Sequence, residues 1–128
     1  MTAQVVSITE SSNSKTAAIK RVIWDWACTD GGIVTGSVTT EKYTGQVVRL
    51  VTNPDASTSN PTDNYDVQVL DSDGGDVLMG AGADRDTANT EQVLASSLGY
   101  VYDSTLTLEI TNAGDAKSGL VILYILQE

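Results

Sequence analysis

The chain has 128 residues, 41% of them hydrophobic, with two Trp and five Tyr as its aromatics, a single Cys, and neither His nor Phe. Its 17 acids against 7 bases give a formal charge of −10. That balance argues against nucleic acid, whose affinity rests on Lys and Arg contacts to phosphates, and against an anionic membrane surface. With no His base and a lone thiol, the usual nucleophile and acid–base pairs are missing, so no enzymatic activity is expected.

A chain of this length fits one domain. Such a domain buries roughly two-thirds of its unfolded surface, and here Val, Ile and Leu must carry most of that burial. Residues 1–18 read as an N-terminal arm and 19–128 as a β-sandwich domain. In the arm, Val5, Val6 and Ile8 can form a short strand, followed by the polar connector Ser11 to Thr16. Such a strand either docks on a neighbouring molecule or pairs with its own sheet. On the first alternative, deleting residues 1–16 leaves a folded domain that no longer binds its partner. No basic, apolar leader pattern precedes the arm, and the longest apolar run, Leu120 to Leu126, is far short of a membrane-spanning helix.

The first firm strand runs from Ile19 to Cys28, where Val22, Trp24, Trp26 and Cys28 alternate with Arg21, Ile23 and Asp25. Period two places both Trp on one face, more suited to a core than to a sugar platform, and Cys28 reads as a buried, inert thiol. Asp30-Gly31-Gly32 predicts a tight hairpin turn, then strands over 33–40 and 45–52, with Val48 and Leu50 opposite Val47, Arg49 and Val51. Residues 53–64, with two Pro and no large apolar side chain, predict a long loop. Tyr65, Val67 and Val69 share one face of the next strand. Ser72 to Gly75 turns the chain, Asp76 to Met79 returns, and 80–89 is irregular. Residues 91–98 fit a short helix or a strand equally. A final hairpin pairs the strand of Leu106, Leu108 and Ile110 with Leu120 to Leu126, whose two apolar faces mark a central strand or one covered by another subunit. Seven or eight short strands with frequent turns predict an all-β antiparallel β-sandwich, jelly-roll or immunoglobulin-like.

Two constellations could carry chemistry. Asp71, Asp73 and Asp76 around two Gly resemble the opening of a calcium loop, but the closing Glu is missing, and an Asp/Gly turn explains the same residues. Asp84, Arg85 and Asp86 could bind a metal or form an intersubunit ion pair; otherwise they are solvated loop charges. Gly80-Ala81-Gly82 lacks the Lys-Ser/Thr of a phosphate loop. No cofactor is expected.

The strings Val51-Thr52-Asn53-Pro54-Asp55-Ala56, Pro61-Thr62-Asp63-Asn64-Tyr65-Asp66-Val67 and Gly80-Ala81-Gly82-Ala83-Asp84-Arg85-Asp86-Thr87-Ala88-Asn89-Thr90-Glu91-Gln92 resemble small structural proteins of tailed bacteriophages. So does the ending Leu106 to Ile125, with its Thr111-Asn112-Ala113-Gly114 turn. The resemblance covers residues 19–126 and implies a virion component made in the host cytoplasm, either a head decoration (cement) protein or a minor capsid protein. Its implied partner is the major capsid protein, and its implied self-association is a trimer. Val5, Val6 and Ile8, with Asp84, Arg85 and Asp86, are the candidate interface, and loops 53–64 and 80–90 are candidate contacts. A neck, tail or fibre component and a carbohydrate- or host-surface-binding sandwich are the alternatives.

Overall fold

A computed structural model describes residues 3–10 and 18–127. Nine strands account for its regular structure: β1 (Val5–Glu10), β2 (Ile19–Ala27), β3 (Val34–Val38), β4 (Tyr43–Pro54), β5 (Asp66–Leu70), β6 (Glu91–Leu94), β7 (Tyr100–Ser104), β8 (Thr107–Thr111) and β9 (Ser118–Leu126). Two single 3-10 turns, Ser57–Ser59 and Ala95–Ser97, are the only helical pieces among the described residues. One antiparallel sheet runs β1-β2-β9-β4, with β6 and β7 following one another along the far edge of β4. The second is β3-β8-β5.

Alternation builds the core. Val22, Trp24 and Trp26 from β2 and Val121, Leu123 and Ile125 from β9 are essentially inaccessible, as are Val67 and Val69 from β5 and Leu108 and Ile110 from β8. They belong to one apolar cluster shared by both sheets. Fully burying each such aliphatic side chain contributes about 1.5–3 kcal/mol. The basic pair Lys20-Arg21 is divided by the same pleat, with Lys20 buried and Arg21 exposed.

Several sequence expectations change here. The final hairpin is not a hairpin: β8 pairs with β3 and β5, whereas β9 lies between β2 and β4 in the other sheet. Both strands are apolar enough to need a buried face, and a two-sheet core supplies it across the interior. The Asp30–Gly32 turn likewise carries the chain from one sheet to the other. Second, β4 breaks its alternation, because the register shifts between Val47 and Arg49. That bulge turns Val47 and Leu50 both inward. Third, Asp76 makes a single bridge to Leu70 rather than opening a strand. The ambiguous 91–98 segment is strand β6 followed by a 3-10 turn, and β7 had no sequence expectation at all.

The strand expected within the arm pairs with the domain's own sheet, register Val5↔Ala27 to Glu10↔Val22. Val6 and Ile8 pack against the core, while Val5 stays exposed. Side chains tie both ends of β1 down, one to β3 of the opposite layer and the other to the loop after β3 and to β4 of its own sheet. Gln4 donates its amide to Thr35 O (2.8 Å) and accepts from Thr35 N (2.8 Å). Glu10 accepts from Thr40 N (3.0 Å), Thr40 Oγ1 (2.8 Å), Glu41 N (3.2 Å) and Tyr43 OH (2.6 Å). The polar connector lies outside the described residues.

Candidate interaction surfaces

The acidic turns use their carboxylates locally. Asp71 Oδ1 accepts from Asp73 N (3.0 Å) and Gly75 N (2.9 Å). Asp76 Oδ1 accepts from Val69 N and Leu78 N, and its Oδ2 from Gly80 N. These are the bonds of Asx-type turns, which hold a chain reversal by capping its amides. Among the described residues no group of three His, Cys, Asp or Glu is placed to hold a metal ion. Asp71 and Asp76 hold the turn through their carboxylates, and Asp73 joins it through its backbone N–H.

Asp84, Arg85 and Asp86 are also engaged within the chain. Arg85 bridges Tyr65 through its backbone, and its guanidinium lies 3.6 Å from Glu91. Asp84 N donates to Asp66 Oδ1 (3.0 Å), and Asp86 N to Glu91 Oε1 (2.8 Å). Bonds from Ala88 N and the Asn89 amide hold the Asp86 carboxyl below the ordinary carboxylate range. Arg85 and Asp86 use their charged groups within the loop and Asp84 its backbone N–H, so an outside partner would meet what remains exposed.

Loops 53–64 and 80–90 come together at the end of the molecule that also carries residues 112–117. Thr87 Oγ1 bonds Asn60 Oδ1 and Pro61 O. Asn64 N donates to Arg85 O (3.0 Å), Thr90 Oγ1 to Asn53 Oδ1 (3.1 Å), and Lys117 Nζ to Thr58 O (2.8 Å). These bonds join the three loops into one polar end surface. An open cleft of about 280 Å³ lies beside β5, lined in part by Asp66, Asp76 and Glu109. Glu109 Oε2 accepts from Gly36 N (2.7 Å) and Asp66 Oδ2 from Asn112 (2.6 Å). Its carboxylates are thus fold-building too.

No family model, curated protein or solved structure matches this chain. Its own chemistry must carry the functional reading.

Trp24 and Trp26 are core residues, 0% and 1% exposed, so they offer no stacking platform. Trp24 Nε1 donates to Ser37 O (3.2 Å). Cys28 is buried, with its thiol donating to Gly114 O (3.2 Å) and accepting from Lys117 N (3.2 Å). Desolvation pushes that thiol up, away from the reactive thiolate. Trp26 Nε1, Thr52 Oγ1 and Tyr65 OH are buried without a hydrogen-bond partner. Burial pushes the Tyr65 phenol up to about 12; the Thr52 hydroxyl beside it pulls the other way without meeting hydrogen-bond geometry.

The surface that sequence reasoning underused is the outer face of the larger sheet. Cross-strand partners share a face. The register therefore sets Ile23, Ile122 and Val51 in one row, and Arg21, Tyr124, Arg49 and Leu94 in the next. Arg49 lies flat, its guanidinium 5.0 Å from the Tyr124 ring centre and bonded twice to Gln92 Oε1 (3.0 and 2.7 Å). At the β6–β7 edge Leu94, Tyr100 and Tyr102 are 75%, 72% and 85% exposed. The doubly apolar pattern of Leu120 to Leu126 signalled this face. The aromatics at the edge carried no periodic signal.

Proposed function

We propose that this chain is a non-enzymatic virion structural protein, a head decoration (cement) or minor capsid protein that binds and stabilises a phage head shell. The observation that carries the reading is the strand order. Strands β2-β9-β4-β6/β7 lie over β3-β8-β5, with the chain crossing between sheets at nearly every connection. That order supports the jelly-roll alternative, in which paired Greek keys recur in viral capsid and lectin domains. Fold alone does not fix function. The second support is chemical: the carboxylates of Asp71, Asp76 and Asp86 hold turns, and the large unspent feature is an apolar, aromatic-edged surface suited to protein contact.

The major capsid protein is the proposed partner, met by many copies at once, so that weak single contacts add up over a lattice. A trimer is the proposed self-association. The exposed acidic body suits a protein that stays soluble at high copy number and does not bind the packaged genome. The polar end built by loops 53–64 and 80–90 is the proposed contact with the shell, with Asp84, Arg85 and Asp86 at its margin. Quantitative mass spectrometry of purified particles tests the reading. Copies near those of the coat protein are expected. A dozen or so would move the chain to the neck, tail or fibres, and absence from particles would overturn the reading in favour of a ligand-binding sandwich.

A further inference from the structure

The outer face of the larger sheet has two parts that differ in exposure. Its middle is a floor with an apolar centre bordered by Arg21 and Arg49, where Ile122 and Tyr124 on β9 are only half-buried despite lying in a central strand. Its β7 edge is far more open: Tyr100 and Tyr102 stand mostly in solvent. Tyr at such exposure is material for an interface, since it brings large contact area with few rotors to freeze.

We propose that a second copy of this chain covers that floor, with Tyr100 and Tyr102 at the edge of one copy packing on Ile122 and Tyr124 of the next. Charge selects the occupant. Two copies of a −10 chain repel in most orientations. The floor is the exception: it carries the Arg49 guanidinium, whose hydrogen bonds go to the neutral Gln92, with Asp25 as its one carboxylate among the described strands. The edge carries the exposed Asp103 directly after Tyr102. Edge on floor therefore brings unlike charges together around an apolar centre. Floor on floor would stack guanidinium-bearing rows and leave the tyrosines outside.

Size agrees. The four strand positions of the floor, about 4.8 Å apart, and a nine-residue β9 at about 3.4 Å per residue present a footprint on the order of 600 Å². A standard stable interface buries about 800 Å² per partner. Edge and floor are different surfaces, so the contact is head-to-tail, and such contacts close into rings when the rotation permits. The pairing does not depend on the capsid reading; only the ring size of three is shared with it.

Light scattering on the purified chain tests this without any shell. A closed oligomer is expected, three times the 13.5 kDa chain mass for a trimer. Tyr102→Asp on the edge and Tyr124→Asp on the floor should each reduce it to the single-chain mass, with circular dichroism unchanged for the edge variant. Mixing the two variants should restore a one-to-one complex that cannot grow, because each mixture keeps one intact edge and one intact floor. A monomeric wild type, an unaltered mass for Tyr102→Asp, or no complex on mixing two folded variants would overturn the proposal. Should Tyr124→Asp fail to fold, the edge variant mixed with wild type still decides. It should cap growing rings and lower their mass, and an unchanged mass would overturn the proposal.

Discussion

Glu10 shows how one side chain sets the fate of a segment. Burial opposes its ionisation, yet the bonds from Tyr43, Thr40 and Glu41 outweigh that and hold its carboxyl below the ordinary 4.5. A carboxyl depressed in the folded state adds stability above its unfolded pKa and loses it as the pH falls through the folded value. Glu10→Gln should therefore cost about 1 kcal/mol at neutral pH, after discounting for partial exposure. The melting difference from wild type should close as the pH drops below 4.5. A difference constant from pH 7 to 3 would contradict this. Thr52 makes the opposite case. Its hydroxyl is buried without a partner, so Thr52→Val, nearly the same shape, should raise stability by about 1 kcal/mol in denaturant titration. Asp71 Oδ1 and both oxygens of Asp76 already accept from backbone amides, so calcium or chelator should leave the melting temperature unmoved.

Among the elements, β1 and the 80–82 stretch carry the sharpest consequences. Because Val6 and Ile8 pack on the core, removing residues 1–10 should lower the melting temperature by several degrees, rather than leave an equally stable domain without its arm. Whether the arm also meets a partner is then tested at the exposed Val5 alone. Gly82 is not part of a phosphate cradle but a close approach: a Cβ there would stand 2.2 Å from Val67 O, and Gly82 O accepts from Val67 N (2.8 Å). Gly82→Ala should cost about 2–3 kcal/mol by forcing this stretch off β5. Legibility in the sequence followed the same physics. Strands β2, β5 and β9 were readable because strict alternation maps onto two different environments. The β4 faces were misread because a bulge adds a residue without changing composition. The β8–β9 pair was misread because period two reports which side chains are buried, not which strand lies alongside. The candidate charges were visible as residues, but their hydrogen-bond duties depend on segments that meet only in the fold. The tyrosine edge was invisible because exposed aromatics have no period.

For the whole molecule, a single core shared by both sheets implies unfolding as one unit. Both Trp lie in that core, so their emission should shift to the red at the same denaturant concentration at which the far-ultraviolet dichroism is lost. Separate midpoints would mean that the two sheets come apart independently. The strand order has a further consequence for synthesis. Strand β9 is the last to leave the ribosome, yet it is the middle plank of the larger sheet, between β2 and β4. Until it arrives, β2 and β4 have no neighbour in common and their apolar inner faces stay open. At about 5–20 residues per second, the nascent chain carries those open faces for seconds before it can close. The acidic surface, with its mutual repulsion, guards the waiting chains from sticking to one another, so the same charge that shapes the finished surface also protects the unfinished protein.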